Sequence, residues 1–184
     1  MKIKEVIGAL ERFAPLPLQD GFDNAGLQIG LTEAEATGAL LCLDVTEAVV
    51  DEAVTLGYNL IVSHHPLIFK GIKQVSDQNF IGRRVLRMIQ DDISYYAMHT
   101  NFDAAPGCMA DLAAKKLGLT DCEVLEKMGE TGDGTSYGIG CTGRFEQPMT
   151  LRATAEQVKE AFGLPYAAVF GELDGEAVIQ KAAV

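Results

Sequence analysis

Tryptophan is absent from this chain of 184 residues, histidine occurs three times and cysteine four times. The cysteines, Cys42, Cys108, Cys122 and Cys141, stand far apart with no Cys-x-x-Cys pair. That spacing excludes a zinc knuckle and a dense disulfide framework and fits a reducing, cytoplasmic setting. Basic residues are scarce as well: 15 Lys and Arg against 26 Asp and Glu give a formal charge of −11. Neutralising a phosphate backbone needs clustered cations, so no nucleic-acid partner is expected. Long apolar runs are missing too. None approaches the ~20 residues that span a bilayer, and the charges at Lys2, Lys4, Glu5, Glu11 and Arg12 interrupt any signal-peptide core. No membrane partner is expected. With 48% apolar and 22% charged residues, the chain reads as an ordinary packed globular protein. Its length supports one domain or two small ones.

Ile3, Val6, Ile7, Leu10 and Phe13 recur at helical spacing and predict an amphipathic first helix, stopped by Pro15 and Pro17. Asp20 to Gly26 reads as a polar loop rich in turn formers. Ala39 to Leu43 reads as a buried strand. Thr46 caps the helix after it, and Gly57 ends that helix. Leu60 to Val62 is a second strand, so residues 39–62 form a βαβ unit. The unit repeats through a helix over about Phe80 to Gln90 and a strand from Ile93 to Met98. Another helix covers about Met109 to Leu117. The expected fold class is α/β, a layered sheet from βαβ units with helices packed on it, plus a smaller Gly-rich α+β segment.

A boundary near residue 125 divides an expected first domain, 1–125, from a second, 126–184. Beyond it Gly129, Gly132, Gly134, Gly138, Gly140 and Gly143 punctuate short segments. Thr154 to Gln157 has capping-box form and opens a predicted helix through Phe162. Tyr166 to Phe170 and Ala177 to Val184 flank Asp174-Gly175 as a predicted hairpin. The last residues run apolar to Val184 with no polar tail, so a missing C-terminal segment is expected to complete both domains.

The chemistry concentrates at two points. Ser63-His64-His65-Pro66 follows the strand Leu60 to Val62, and His99 follows the strand Ile93 to Met98 with Asp103 shortly after it. Ligands in open α/β sheets collect at the carboxyl ends of parallel strands, so all three histidines and one carboxylate are expected on one sheet edge. Adjacent residues on extended backbone point opposite ways. His64 and His65 therefore serve one ion only if the loop turns between them, and otherwise serve two neighbouring ions. Mixed imidazole and carboxylate ligation suits zinc, iron, manganese or nickel. A two-metal site would need a further imidazole, and no histidine follows His99. Gly129 to Gly134 reads as a hairpin turn rather than a phosphate cradle, since no Lys or Arg lies in it. Cys108, after Gly107 at a helix start, reads as a passive small residue. Asp23 and Asn24 read equally as ligand-reaching groups and as turn stabilisers.

Three segments together resemble one family: Asp23 to Gly30, Ser63 to Phe69, and His99 to Gly107. They are similar to the Nif-three-like dinuclear-metal-centre proteins, whose bacterial members are called GTP cyclohydrolase I type 2 homologues. The resemblance covers about the first 125 residues. It implies that His64, His65 and Asp103 bind metal, with two divalent ions per subunit in the full-length protein. The family's late His and Glu ligands have no counterpart here, and Cys108 stands where a second glycine is usual. Resemblance further implies a toroidal homo-hexamer with metal sites facing the interior. The expected function is a metal-dependent hydrolase in which the ions activate a water at neutral pH. His99 is assigned as a general acid/base or as a residue supporting the ligands. The implied substrate is a guanine nucleotide such as GTP, with a phosphoester as the alternative, and the acidic surface offers no obvious steering for GTP. The rival expectation is a non-catalytic metal-binding hexameric scaffold or regulatory protein.

Overall fold

Two strands, β3 (Leu60–Ser63) and β4 (Ser94–Ala97), are buried along their whole length, as strands at the centre of a parallel sheet should be. In the computed structural model, which describes residues Met1–Val184, β3 and β4 pair in parallel. Strand β2 (Ala39–Cys42) adds in parallel outside β3, and β1 (Gly26–Ile29) adds antiparallel outside β4. The sheet order is β1-β4-β3-β2. The expected βαβ repeat is therefore present, although its first strand, expected to be buried, is an edge strand that leaves Leu41 exposed. The loop expected to lead into it carries on into the unforeseen antiparallel edge strand β1.

Helix α1 (Ile3–Phe13) buries Ile3 and Ile7 and is followed by a 3-10 turn at Leu16–Leu18, where the prolines stop it. Helix α2 (Glu47–Leu56) links β2 to β3. The Thr46 side chain accepts from the Val49 N–H at 3.2 Å, and Gly57 closes the helix in the left-handed region at φ 69°. Helix α3 (Phe80–Gln90) links β3 to β4, and Asn79 caps it by accepting from the Gly82 N–H. Between these layers lie Val45, Val50, Ala53, Ile61, Met88, Ile93, Tyr95 and Ala97, all buried. Each large apolar side chain removed from water there contributes roughly 1.5–3 kcal/mol.

Gly30 sets how closely β1 ends against β4. A Cβ at that position would lie 2.2 Å from Ser94 Oγ, and the backbone sits at φ +134°. Only glycine permits this approach, which lets the Leu31 N–H donate to Ser94 Oγ at 3.1 Å.

By its contacts the chain divides into two units, 1–102 and 103–184. The change of texture read near residue 125 falls inside β5 (Leu119–Glu130), a strand of the second unit. A short helix, α4 (Thr100–Ala104), crosses the division, and α5 (Met109–Lys116) follows it. Strand β5 pairs antiparallel with β6 (Ser136–Thr150), and β7 (Val178–Ala183) pairs antiparallel with the other side of β6. Ala114, Leu117, Leu119, Cys141 and Phe145 form the core of this unit. The run Gly129 to Gly134 leads into the β5–β6 turn, held by Gly134 N–H to Thr131 O at 2.9 Å and Thr131 N–H to Thr135 O at 2.8 Å.

Two expectations for this unit are corrected. Helix α6 (Leu151–Phe162) opens earlier than the motif at Thr154. Thr150 takes the cap by accepting from the Ala153 N–H, while Thr154 Oγ1 donates back to Thr150 O. Tyr166 to Phe170 forms no strand, so Asp174-Gly175 turns into β7 without a hairpin partner before it. The whole is a mixed α/β protein with one four-stranded mixed sheet and one three-stranded antiparallel sheet. No helix is long and apolar enough to cross a membrane.

Candidate metal centre

The backbone bends directly after β3, and this bend gathers the histidines. The His64 and His65 N–H groups donate to Cys42 O at 3.2 Å and Leu43 O at 2.9 Å, tying the loop to the end of β2. Across the ladder the Met98 N–H donates to Ser63 O at 2.8 Å, so His99 leaves β4 beside the point where His64 leaves β3. Ring centroids of His64 and His65 lie 5.0 Å apart, those of His64 and His99 5.3 Å, and those of His65 and His99 5.8 Å. The loop thus turns within the pair and brings both rings to one side. One ring nitrogen from each histidine lies within 4.8 Å of the others. Imidazoles at that spread can share one ion or two adjacent ones.

Hydrogen bonds fix the tautomers. His64 Nδ1 meets Met98 O at 2.8 Å, His65 Nδ1 meets Asp44 Oδ1 at 2.9 Å, and His99 Nδ1 meets Asp23 Oδ1 at 2.8 Å. A carbonyl or carboxylate oxygen only accepts, so each Nδ1 is the donor in its bond, and Nε2 is the ring nitrogen suited to an ion. Metal-binding histidines are held in this manner, by a second acceptor that sets ring orientation and raises basicity. The donor set therefore fits a divalent ion of the imidazole-binding kind, such as zinc, iron, manganese or nickel.

The Asp23 side chain is fully buried, and the His99 side chain is 19% exposed. Burial by itself raises the Asp23 carboxyl pKa. The hydrogen bonds from the Thr100 hydroxyl, His99, and the backbone N–H groups of Asn24 and Thr100 outweigh it and hold the pKa below the usual range. Asp23 is thus a long-range brace for the His99 segment as well as a turn residue. Asn24 has the same character, since its amide donates to Ile68 O across the site. Gln28 joins it in two bonds to the same residue: its Nε2 donates to Ile68 O at 3.2 Å, and its Oε1 accepts from the Ile68 N–H at 2.9 Å.

Tyr95 was not foreseen as a site residue. Its buried hydroxyl lies 2.7 Å from Ser63 Oγ, donates to His65 O at 3.1 Å and accepts from the Leu67 N–H at 2.8 Å. Burial pushes this phenol above its ordinary pKa, against the Ser63 and Leu67 hydrogen bonds. Asp44 was also missed. It stands just beyond β2, on the same carboxyl edge as the histidines, and that position was the available signal.

Asp103 lies on α4, one helical turn past His99, half-buried, and is the first residue of the second unit. Cys108 is buried at the start of α5. Burial first and Asp111 second push its thiol up to about 11, so it behaves as a passive packing residue.

The family model described as Duf34/NIF3 (NGG1p interacting factor 3) matches residues 1–184. A Clostridium perfringens protein called "GTP cyclohydrolase 1 type 2 homolog" is 33% identical over 184 residues, covering 100% of this chain and 68% of its own length. A protein of the same description from Clostridium acetobutylicum is 32% identical over 174 residues, covering 95% of this chain. This chain spans 64% of that relative's length. Among solved structures, a Bacillus cereus protein related to NIF3 superposes with a TM-score of 0.90 at 26% identity, covering 100% of this chain and 76% of its own.

Proposed function

Since this chain belongs to the Duf34/NIF3 (NGG1p interacting factor 3) family, we propose that its histidine cluster is a divalent-metal centre serving a hydrolase. The observation carrying this reading is the convergence of His64, His65 and His99, with one ring nitrogen from each within 4.8 Å of the others and each Nδ1 held by an oxygen acceptor. In the proposal His64, His65 and Asp103 hold metal, with two divalent ions per subunit in the full-length protein. When bound, such ions supply Lewis acidity and lower the pKa of a coordinated water.

The chain's own residues do the rest. Asp23 fixes the His99 tautomer and orientation, as a buried carboxylate does for a catalytic imidazole, so that Nε2 of His99 takes or returns a proton at the reacting group. Asp44 does the equivalent for His65, leaving its Nε2 as a ligand. The substrate class follows the relatives' name, a guanine nucleotide whose ring is opened by water. The same reading includes a cytoplasmic homo-hexamer, checked by light-scattering mass.

The test is metal stoichiometry by elemental analysis after equilibration with zinc, manganese, iron(II) or nickel. His65→Ala should lose at least one ion per chain. His99→Ala should retain the ions and lose release of formate from GTP in a full-length relative carrying the same residues. Undiminished metal in His65→Ala, or loss of metal in His99→Ala, contradicts these roles.

A further inference from the structure

Two large apolar side chains border the polar cluster and are left in water: Phe22 is 66% exposed and Phe69 is 40% exposed. They touch edge to face, with centroids 6.4 Å apart and planes at 61°. Phe69 stands 6.2 Å from the His99 ring with the planes nearly perpendicular, at 86°. Scattered exposed phenylalanines carry little meaning, but a contiguous pair against a reaction centre is a surface with a use.

Their placement is built. Phe22 directly precedes Asp23, whose carboxylate is bound to His99 and Thr100. Phe69 directly follows Ile68, whose backbone is held at both its N–H and its carbonyl by Gln28 and at its carbonyl by Asn24. The bonds that orient the histidine site therefore also hold the backbone from which the two phenyl rings project. An aromatic side chain on a backbone held in this way has less freedom to lose when a ligand arrives, which favours binding.

We propose that Phe22 and Phe69 form an aromatic wall that receives the planar heteroaromatic ring of a small-molecule substrate and presents its edge to His64, His65 and His99. Phenyl faces stack on any flat π-system, so the wall selects for a ring without reading its substituents. A ring stacked on Phe69 at about 3.5–4 Å stays within the reach set by the 6.2 Å separation from His99. The inference rests on the cluster being the reaction centre, and it adds which part of the substrate is held and by what.

The experiment measures binding of guanosine 5′-monophosphate, cytidine 5′-monophosphate and ribose 5-phosphate by calorimetry to the whole chain, with zinc and without it. All three probes carry a phosphate and only two carry a heteroaromatic ring. Both ring-bearing probes should bind, and ribose 5-phosphate should bind at least about tenfold more weakly. Phe69→Leu and Phe22→Leu should each weaken the ring-bearing probes by about tenfold, with Phe69→Trp restoring affinity and zinc binding unchanged in all three variants. Equal binding of ribose 5-phosphate, full affinity in Phe69→Leu, or no binding of either nucleotide overturns the proposal. So does a Phe→Leu change that alters oligomeric mass and leaves nucleotide affinity intact, because the pair is then a contact between copies. Ring-dependent binding that persists in a chain unable to hold zinc removes the metal reading and leaves the wall standing.

Discussion

Replacing Tyr95 by Phe removes one oxygen atom from the centre of the histidine loop and keeps the ring that packs in the core. No cavity forms, so the effect isolates hydrogen bonding. The hydroxyl accepts from the Leu67 N–H and shares its one proton between Ser63 Oγ and the His65 carbonyl. The His65 carbonyl keeps the Ser63 hydroxyl as a donor at 2.7 Å, so that side is largely compensated. The Leu67 N–H loses its acceptor in a half-buried position, where water restores part of the loss. An orphaned buried donor costs about 1–3 kcal/mol, and partial access to water puts this site near 1–2 kcal/mol. With a urea m-value of about 2 kcal/mol/M, the unfolding midpoint should fall by about 0.5–1 M. Zinc affinity should fall about tenfold in parallel, since the loop carrying His64 and His65 loses its fixed path. A midpoint within about 0.2 M of the parent would refute the claim that this hydroxyl holds the loop.

Thr150→Ala should destabilise the protein by about 1 kcal/mol through loss of the α6 cap, while Thr154→Ala changes urea stability by less than half of that, and reversal of this order contradicts the observed cap. Alkylation by iodoacetamide at pH 8, followed by mass spectrometry, should label exposed Cys122 first. Buried Cys108, its thiol pushed up to about 11, has a thiolate fraction on the order of one in a thousand. Labelling of Cys108 as fast as Cys122 in the native protein would show that this helix start is open.

The central strands were legible because β3 and β4 are short apolar runs bounded by turn residues, and α2 because Thr46 and Gly57 mark its two ends. The convergence of His64, His65 and His99 followed from their places just past two parallel strands. Strand β1 was not legible: Gly26–Ile29 is short, begins in a polar loop, and gains its structure from a ladder with β4 far along the chain. The start of α6 was misplaced because Thr154 to Gln157 has capping-box form, and only the hydrogen bonds give the cap to Thr150. Tyr166 to Phe170 has strand-like composition but no neighbouring strand to pair with, and propensity alone does not make a strand. Asp23 and Asn24 read equally as ligand-reaching groups and as turn stabilisers, and their bracing role was hidden because the groups they hold lie far away in sequence.

The edge position of β1 has a consequence for how the site comes apart. Strand β3 is laddered on both sides, by β2 and by β4, whereas β1 is laddered to β4 alone. Detaching β1 and the loop before it breaks one short ladder and leaves the parallel core intact, so it is one of the two edge openings this sheet offers, β2 being the other. That opening carries away Asp23, Asn24 and Gln28 together, and with them the brace on His99 and the clamp on Ile68. The histidines would remain attached to a folded scaffold while their alignment was lost. Competence of the site and integrity of the parallel core are thus governed by separate equilibria.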